Sequence, residues 1–228
     1  MKKFELTSEF KIDLSGRKLF RIKALIDIER YGVKACYLGG WVEKEDNLSQ
    51  TGDAWLSGNA QVSGVAKVSG NAQVSGNAKV SGDAEVCDNA WVSGNAKVYD
   101  DAWVSGNAQV SGNAQVSGNA KVCDDAWLYG NAKVYDDAKV SGDAKVSGNA
   151  DYATIKGFGT VYRTTTFFRC QDGAVRVTCG SFYGTIDEFR EQIKRTREGK
   201  VADEYLKIAD LMEYHFEKKK EFKMEEYL

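Results

Sequence analysis

The chain has 228 residues, a formal net charge of −2, no proline and a single histidine. So even a balance does not suit a general nucleic-acid binder, which gains affinity by neutralising phosphates with Lys and Arg. No apolar run approaches the ~18 residues of a membrane helix. The start, Met1-Lys2-Lys3-Phe4-Glu5-Leu6, has no apolar signal core, so a cytosolic, non-membrane protein is expected. The five cysteines (Cys36, Cys87, Cys123, Cys170, Cys179) include no C-x-x-C pair. An odd set of this kind suits reduced thiols, not a disulfide framework or a zinc site.

Phe4-Glu5-Leu6 and Phe10-Lys11-Ile12 alternate apolar and polar, as strands do. Leu14-Ser15-Gly16-Arg17 reads as a turn and Leu19 to Leu25 resumes the alternation, which predicts a β-hairpin. Val42 and Leu48 stand six apart after Gly39-Gly40-Trp41, which predicts an imperfect first coil. Bulky residues such as Trp41 would cover its open end, as terminal caps do in solenoids. The alternative for Trp41 is a ligand platform.

From Ala54 to Asn149 one hexad, A-x-V-x-G-N, recurs sixteen times without insertion or deletion. Ala opens every copy, Val or Leu is third, and Asn or Asp is sixth except at Val65. A fixed period is the mark of a repeat architecture. Ala and Val, two apart, point to one side of a strand while the residues beside them point outward. The Gly-Asn pair then turns the chain, since left-handed backbone angles are cheap for Gly and tolerable for Asn and Asp. The hexad resembles the repeat of left-handed parallel β-helix proteins. That resemblance implies triangular coils of three hexads, 18 residues each, and it alone implies the left hand. The expected fold is mainly β: an N-terminal β cap over 1–41, a single-stranded left-handed parallel β-helix over 42–153, and a small α+β module over 154–228.

An 18-residue coil sorts the outward residues into columns. Face one carries Trp55, Gln73, Trp91, Gln109, Trp127 and Lys145. Face two carries Gln61, Lys79, Lys97, Gln115, Lys133 and Asp151; face three carries Lys67, Glu85, Trp103, Lys121 and Lys139. Solvent gives no reason to select Trp, and exposed aromatic rows mark interfaces. Trp55, Gln73, Trp91, Gln109, Trp127 and Trp103 are therefore the interface candidates. Three uses are open: self-association as a dimer or trimer, a bound partner or ligand, and partial burial under the chain's own termini.

Where a corner opens with Asp, Cys or Tyr precedes it: Cys87-Asp88, Tyr99-Asp100, Cys123-Asp124, Tyr135-Asp136. Asp capping its own turn is the structural reading. Asp83 and Asp101, one coil apart, are the candidate for a weak cation site. Cys87 and Cys123, two coils apart, are beyond disulfide reach.

After the repeat fades at Ala150-Asp151-Tyr152, Val161 to Cys170 and Ala174 to Cys179 read as strands joined through Asp172-Gly173, a hairpin signal. Thr185-Ile186-Asp187-Glu188 is a capping box that opens a helix with Ile186, Phe189 and Ile193 inward. A second helix places Val201, Tyr205, Ile208 and Met212 on one side, before a charged tail from Glu217 to Leu228. The module is expected to pack on the last coil, because Val140 and Val146 would otherwise meet water and strand edges would stay unpaired. Arg163, Arg169 and Arg176, with Thr165 and Thr178, are candidates to bind a phosphate, nucleotide or other small anion, since Arg donates in a fork. Cross-strand pairing is the alternative. The runs Thr164-Thr165-Thr166-Phe167-Phe168-Arg169-Cys170, Arg176-Val177-Thr178-Cys179-Gly180 and Phe182-Tyr183-Gly184-Thr185 resemble a module of bacteriophage and prophage proteins. Leu38 to Ser49 resembles the lead-in of hexapeptide-repeat members of that group. This implies a phage setting inside a bacterial host cell, and no activity.

A non-enzymatic interaction protein is expected, bound to itself or to a host protein, with counter-defence as one version. An acyltransferase, common on hexapeptide scaffolds, would resemble its relatives in a catalytic His and a protruding loop. The repeat has neither, and the one histidine is His215. Carbohydrate stacking on the Trp column is a third reading. No cofactor and no metal are expected.

Overall fold

In the computed structural model residues 1–217 are described; the charged tail from 218 onward lies outside them. β1 (Phe4–Ile12) and β2 (Lys18–Ala24) form the expected hairpin, closed by Asp13, whose Oδ1 accepts from the Ser15 and Arg17 N–H groups, both at 2.8 Å. β3 (Leu38–Val42) pairs antiparallel to β2 and, along its other edge, parallel to the first strand of face two, with Trp41 beside Gln61. A single strand thus belongs to cap and coil alike, so the boundary expected at 41/42 falls within it.

Sixteen two-residue strands follow, β4 (Trp55–Leu56) to β19 (Lys145–Val146), one per hexad. They stack in parallel in three columns, building a parallel β-solenoid of about 6 turns. Trp91 lies between Gln73 and Gln109, Lys97 between Lys79 and Gln115, and Trp103 between Glu85 and Lys121, as an 18-residue coil requires. The first coil is longer. Val42 and Leu48 lie beside Val62 and Val68, 20 residues on, whereas Leu56 lies beside Val74, 18 on. The two extra residues sit in the corner between Leu48 and Leu56.

Every first-position Ala and third-position Val or Leu of the hexads is at most 1% exposed. At the fifth position of every hexad but the last φ is positive, as at Gly112 (φ +66°), where a Cβ would stand 2.9 Å from the Gly130 nitrogen of the next coil. Asp88, Asp100, Asp124 and Asp136 take the same place with φ of 58–61°. The sixth-position Asn does other work. Asn59, Asn77, Asn95, Asn113 and Asn131 stack in a ladder, each Nδ2 donating to the next Oδ1 at 3.1–3.3 Å. Nor do the fifth-position aspartates cap their own turns. Asp88, Asp100 and Asp124 accept from Gly106, Gly118 and Gly142 N–H, one coil further on, at 3.1, 3.2 and 3.0 Å.

Between coils each N–H donates toward the C-terminal end, as Trp91 N–H does to the Ala108 carbonyl at 2.9 Å. The first coil therefore keeps free carbonyls and the last keeps free N–H groups. Donors close the first end. Lys3 Nζ donates to the carbonyls of Ala54 (2.7 Å) and Gly52 (3.2 Å), and Asn47 Nδ2 to those of Ala66 (2.9 Å) and Gly64 (3.2 Å).

Acceptors close the other end: Asn149 Oδ1 takes the Lys133 N–H, Thr166 Oγ1 takes that of Lys139, and Asp151 takes those of Ser147 and Gly148. Asp151 is thus not an outward residue of face two. It ends a 3-10 turn, Asn149–Asp151, that breaks the column.

β20 (Tyr152–Phe158), β21 (Arg163–Arg169), β22 (Val175–Cys179) and β23 (Phe182–Thr185) form an antiparallel sheet in that order. α1 (Ile186–Thr196) and α2 (Gly199–Phe216) cover one side. The β21–β22 hairpin and the Thr185–Glu188 capping box stand as predicted. β20 was not expected and crosses the 153/154 boundary. The other side of the sheet closes the solenoid as expected. Val140 and Val146 are fully buried with Phe168 and Cys170, and Thr178 Oγ1 donates to the Lys139 carbonyl at 2.8 Å.

Lys3 is buried, and burial lowers its pKa from 10.5 to about 8 against the opposing charge of Asp53. The unfolded chain then holds this proton more tightly than the folded one, so stability rises with pH between about 8 and 10.5. Urea unfolding across that window is expected to show a gain from this group on the order of 2 kcal/mol, absent in Lys3→Met. Parallel pH profiles for the two proteins would refute it.

Candidate interaction surface

The outward tryptophans divide. Trp91, Trp103 and Trp127 are 45%, 41% and 38% exposed. Trp55 is 2% exposed and leaves the set of interface candidates. No full coil precedes it, and the cap crosses its column: a Cβ at Gly39 would stand 2.6 Å from the Trp55 ring. Gln73 is half-buried and Gln109 exposed.

Two of the exposed indoles are held by the preceding coil. Trp91 Nε1 donates to Ser75 Oγ and Trp103 Nε1 to Cys87 Sγ, both at 3.2 Å. Their polar edge is satisfied within the rod while ring area stays open. Trp127 packs on Tyr129 with centroids 4.8 Å apart. Lys121 Nζ lies 5.1 Å from the Trp103 ring and Lys145 Nζ 5.6 Å from Trp127, within cation–π range. Trp41 is 7% exposed, with Lys11 Nζ at 4.3 Å and the Arg21 guanidinium at 4.9 Å from its ring. It serves the cap, its ring already engaged by the chain's own cations.

The phosphate candidates do not converge. Arg163, Thr165, Phe167 and Arg169 alternate onto the helix side of β21, while Arg176 lies opposite Phe168 and faces the other way. Arg169 Nη2 donates to the Phe216 carbonyl at 2.6 Å and its Nε lies 3.7 Å from Asp151; Arg176 pairs with Asp172 at 2.7 Å. Thr165 is buried, its hydroxyl donating to Cys179 Sγ at 3.2 Å. Arg163 instead lines a cavity of about 100 Å³ with Arg197, a residue that reads in the sequence only as a helix end.

Asp83 and Asp101 share a corner column, but among the described residues no third His, Cys, Asp or Glu joins them. All five cysteines are free. Burial pushes the Cys123 thiol up to about 11 and the Cys170 thiol up to about 12, and raises that of Cys87. These three are poor thiolate nucleophiles near neutral pH. His215 is exposed on α2, edge-on to Phe216 at 5.0 Å. No described helix is long and apolar enough to cross a membrane.

A family model described as YdcK beta solenoid repeat matches residues 108–124, just under one coil. No curated protein matches the chain. The coil geometry and this match define a β-solenoid repeat protein.

The two kinds of tryptophan should differ in energy. Trp55→Ala is expected to cost about 3–5 kcal/mol, and Trp91→Ala no more than about 0.5 kcal/mol, in chemical denaturation. Similar losses for both would contradict the burial described.

Proposed function

We propose that the chain is a non-enzymatic interaction protein whose solenoid carries face one as a surface for a second copy of itself. One observation carries this reading. From Trp55 to Tyr129 the outward positions of face one are neutral: Trp, Gln, Ser and Tyr, bordered by the neutral Asn59–Asn131 ladder. The outward columns of the other faces carry Lys and Glu. Interface cores are depleted in charge and enriched in aromatics. A neutral strip with two open indoles, Trp91 and Trp127, is therefore the side where two rods lose least on desolvation. Trp103 stands on face three and leans toward Cys87, at the corner leading into face one.

The resemblance of the C-terminal strands to a bacteriophage module supports a phage setting in the cytoplasm of a bacterial host. A host-protein partner and a counter-defence role follow from that analogy alone. The exposed position of His215 on α2 gives an acyltransferase reading no support from geometry.

Light scattering after gel filtration tests the proposal. The wild-type chain is expected to run as a dimer or trimer at tens of micromolar. The double variant Trp91→Ser, Trp127→Ser is expected to run as a monomer with an unchanged circular dichroism spectrum. A monomeric wild type, or an unchanged mass in the double variant, would reject self-association through face one.

A further inference from the structure

The cavity beside Arg163 lies where the link from β20 to β21 meets α1 and the start of α2. Two guanidinium groups, Arg163 and Arg197, line it together with the hydroxyl residues Ser181, Thr196 and Tyr205, and no carboxylate among the described residues does. Arg169 and Arg176 each have an aspartate. Among the described residues Arg163 has no ion pair, and the Arg197 guanidinium donates only to the neighbouring Thr196 carbonyl at 2.9 Å.

The arrangement is built and not incidental to the surface. A Cβ at Gly180 (φ +63°) would stand 2.6 Å from Arg163 Nη1, and one at Gly159 (φ +73°) would stand 2.5 Å from the Tyr205 hydroxyl. Both glycines keep their turns clear for these side chains. Tyr205 is fixed in turn by its hydroxyl donating to the Phe158 carbonyl at 3.2 Å. Burial and the neighbouring Cys179 raise the Tyr205 pKa, and Arg197 and Arg163 offset only part of that rise.

Two cations gathered without a counter-charge repel each other, and an oxyanion between them relieves that repulsion while accepting from both forks. The cavity volume restricts the guest to a small one. We infer that this cavity binds a small oxyanion: free phosphate or the head of a phosphate monoester. It lies in the C-terminal module, separate from the tryptophan surface, so either reading can fail without the other.

Titration calorimetry on the full chain tests it, with sodium phosphate and phenyl phosphate, against sodium chloride at matched ionic strength. The expected result is one saturable site per chain, weakened at least tenfold in Arg163→Gln and in Arg197→Gln, partly restored in Arg163→Lys, and unchanged in Arg30→Gln. Saturation by phosphate alone assigns the free ion; tighter binding of phenyl phosphate assigns the monoester. If Arg163→Gln loses its fold by circular dichroism, Arg197→Gln decides alone. Heats that match sodium chloride, or binding that survives both glutamine variants, would overturn the inference.

Discussion

The structure depends on a one-way hydrogen-bond ladder. Each coil gives its N–H groups to the carbonyls of the next, Ser93 to Val110 and Ser111 to Leu128 alike. The ladder closes only if every coil uses the same number of residues, because a slip of one would turn the inward Ala and Val outward. This explains why sixteen hexads tolerate no insertion. It also explains why the one longer coil comes first, where there is no repeat coil before it to match. A directed ladder has chemically different ends. The carbonyl end is closed by an amine and an amide, from Lys3 and Asn47, and the N–H end by a carboxylate, a hydroxyl and an amide oxygen, from Asp151, Thr166 and Asn149. The two caps are not interchangeable, since each brings only the kind of group its end lacks.

The same ladder accounts for the spacing of the corner aspartates. A carboxylate at the fifth position reaches the backbone N–H of the fifth residue one coil on. That residue is glycine above Asp88, Asp100 and Asp124, with no side chain to block the approach. Below Asp88 and Asp100 stand Gly70 and Gly82, so Asp and Gly alternate along the column. Two aspartates on successive coils would face each other at strand spacing, ~4.8 Å, and repel. At the fifth position alternation both avoids that repulsion, which the sixth-position pair Asp83 and Asp101 bears, and gives Asp88, Asp100 and Asp124 a glycine N–H to accept from, so no cation is needed to explain these three.

Much of this was legible because a strict period gives every residue an address. Once 18 is taken as the coil, the pairing of Trp91 with Gln109 or of Lys97 with Gln115 follows by addition. What the period cannot supply is contact between segments outside it. Trp55 has the address of an exposed residue, yet a segment at Gly39 covers it. Strand β20 has too little alternation to stand out and exists because β21 offers it an edge. The division of the arginines was within reach. Arg169 lies opposite Val175 across the Asp172-Gly173 turn, so the next residue, Arg176, must face away from Arg169. The convergence of Arg163 with Arg197 was not, because it depends on where two helices land.

An interior of buried Ala and Val is too uniform to distinguish one coil from another, so any recognition must be written on the outside of the rod. On the proposed reading, face one writes it symmetrically. Trp91 and Trp127 lie one coil either side of Gln109, ~9.6 Å apart along the axis. Closed assemblies of identical chains are mostly two-fold, and a two-fold contact pairs residue i with j and j with i. An axis through Gln109 would set Trp91 of one rod against Trp127 of the other, twice. Tyr129 packs against one member of each pair, and the neutral Asn ladder runs along the rim. On the proposed reading, the rigidity fixed by the ladder is what keeps these indoles in register, since a flexible carrier would lose that order as an entropic cost of binding.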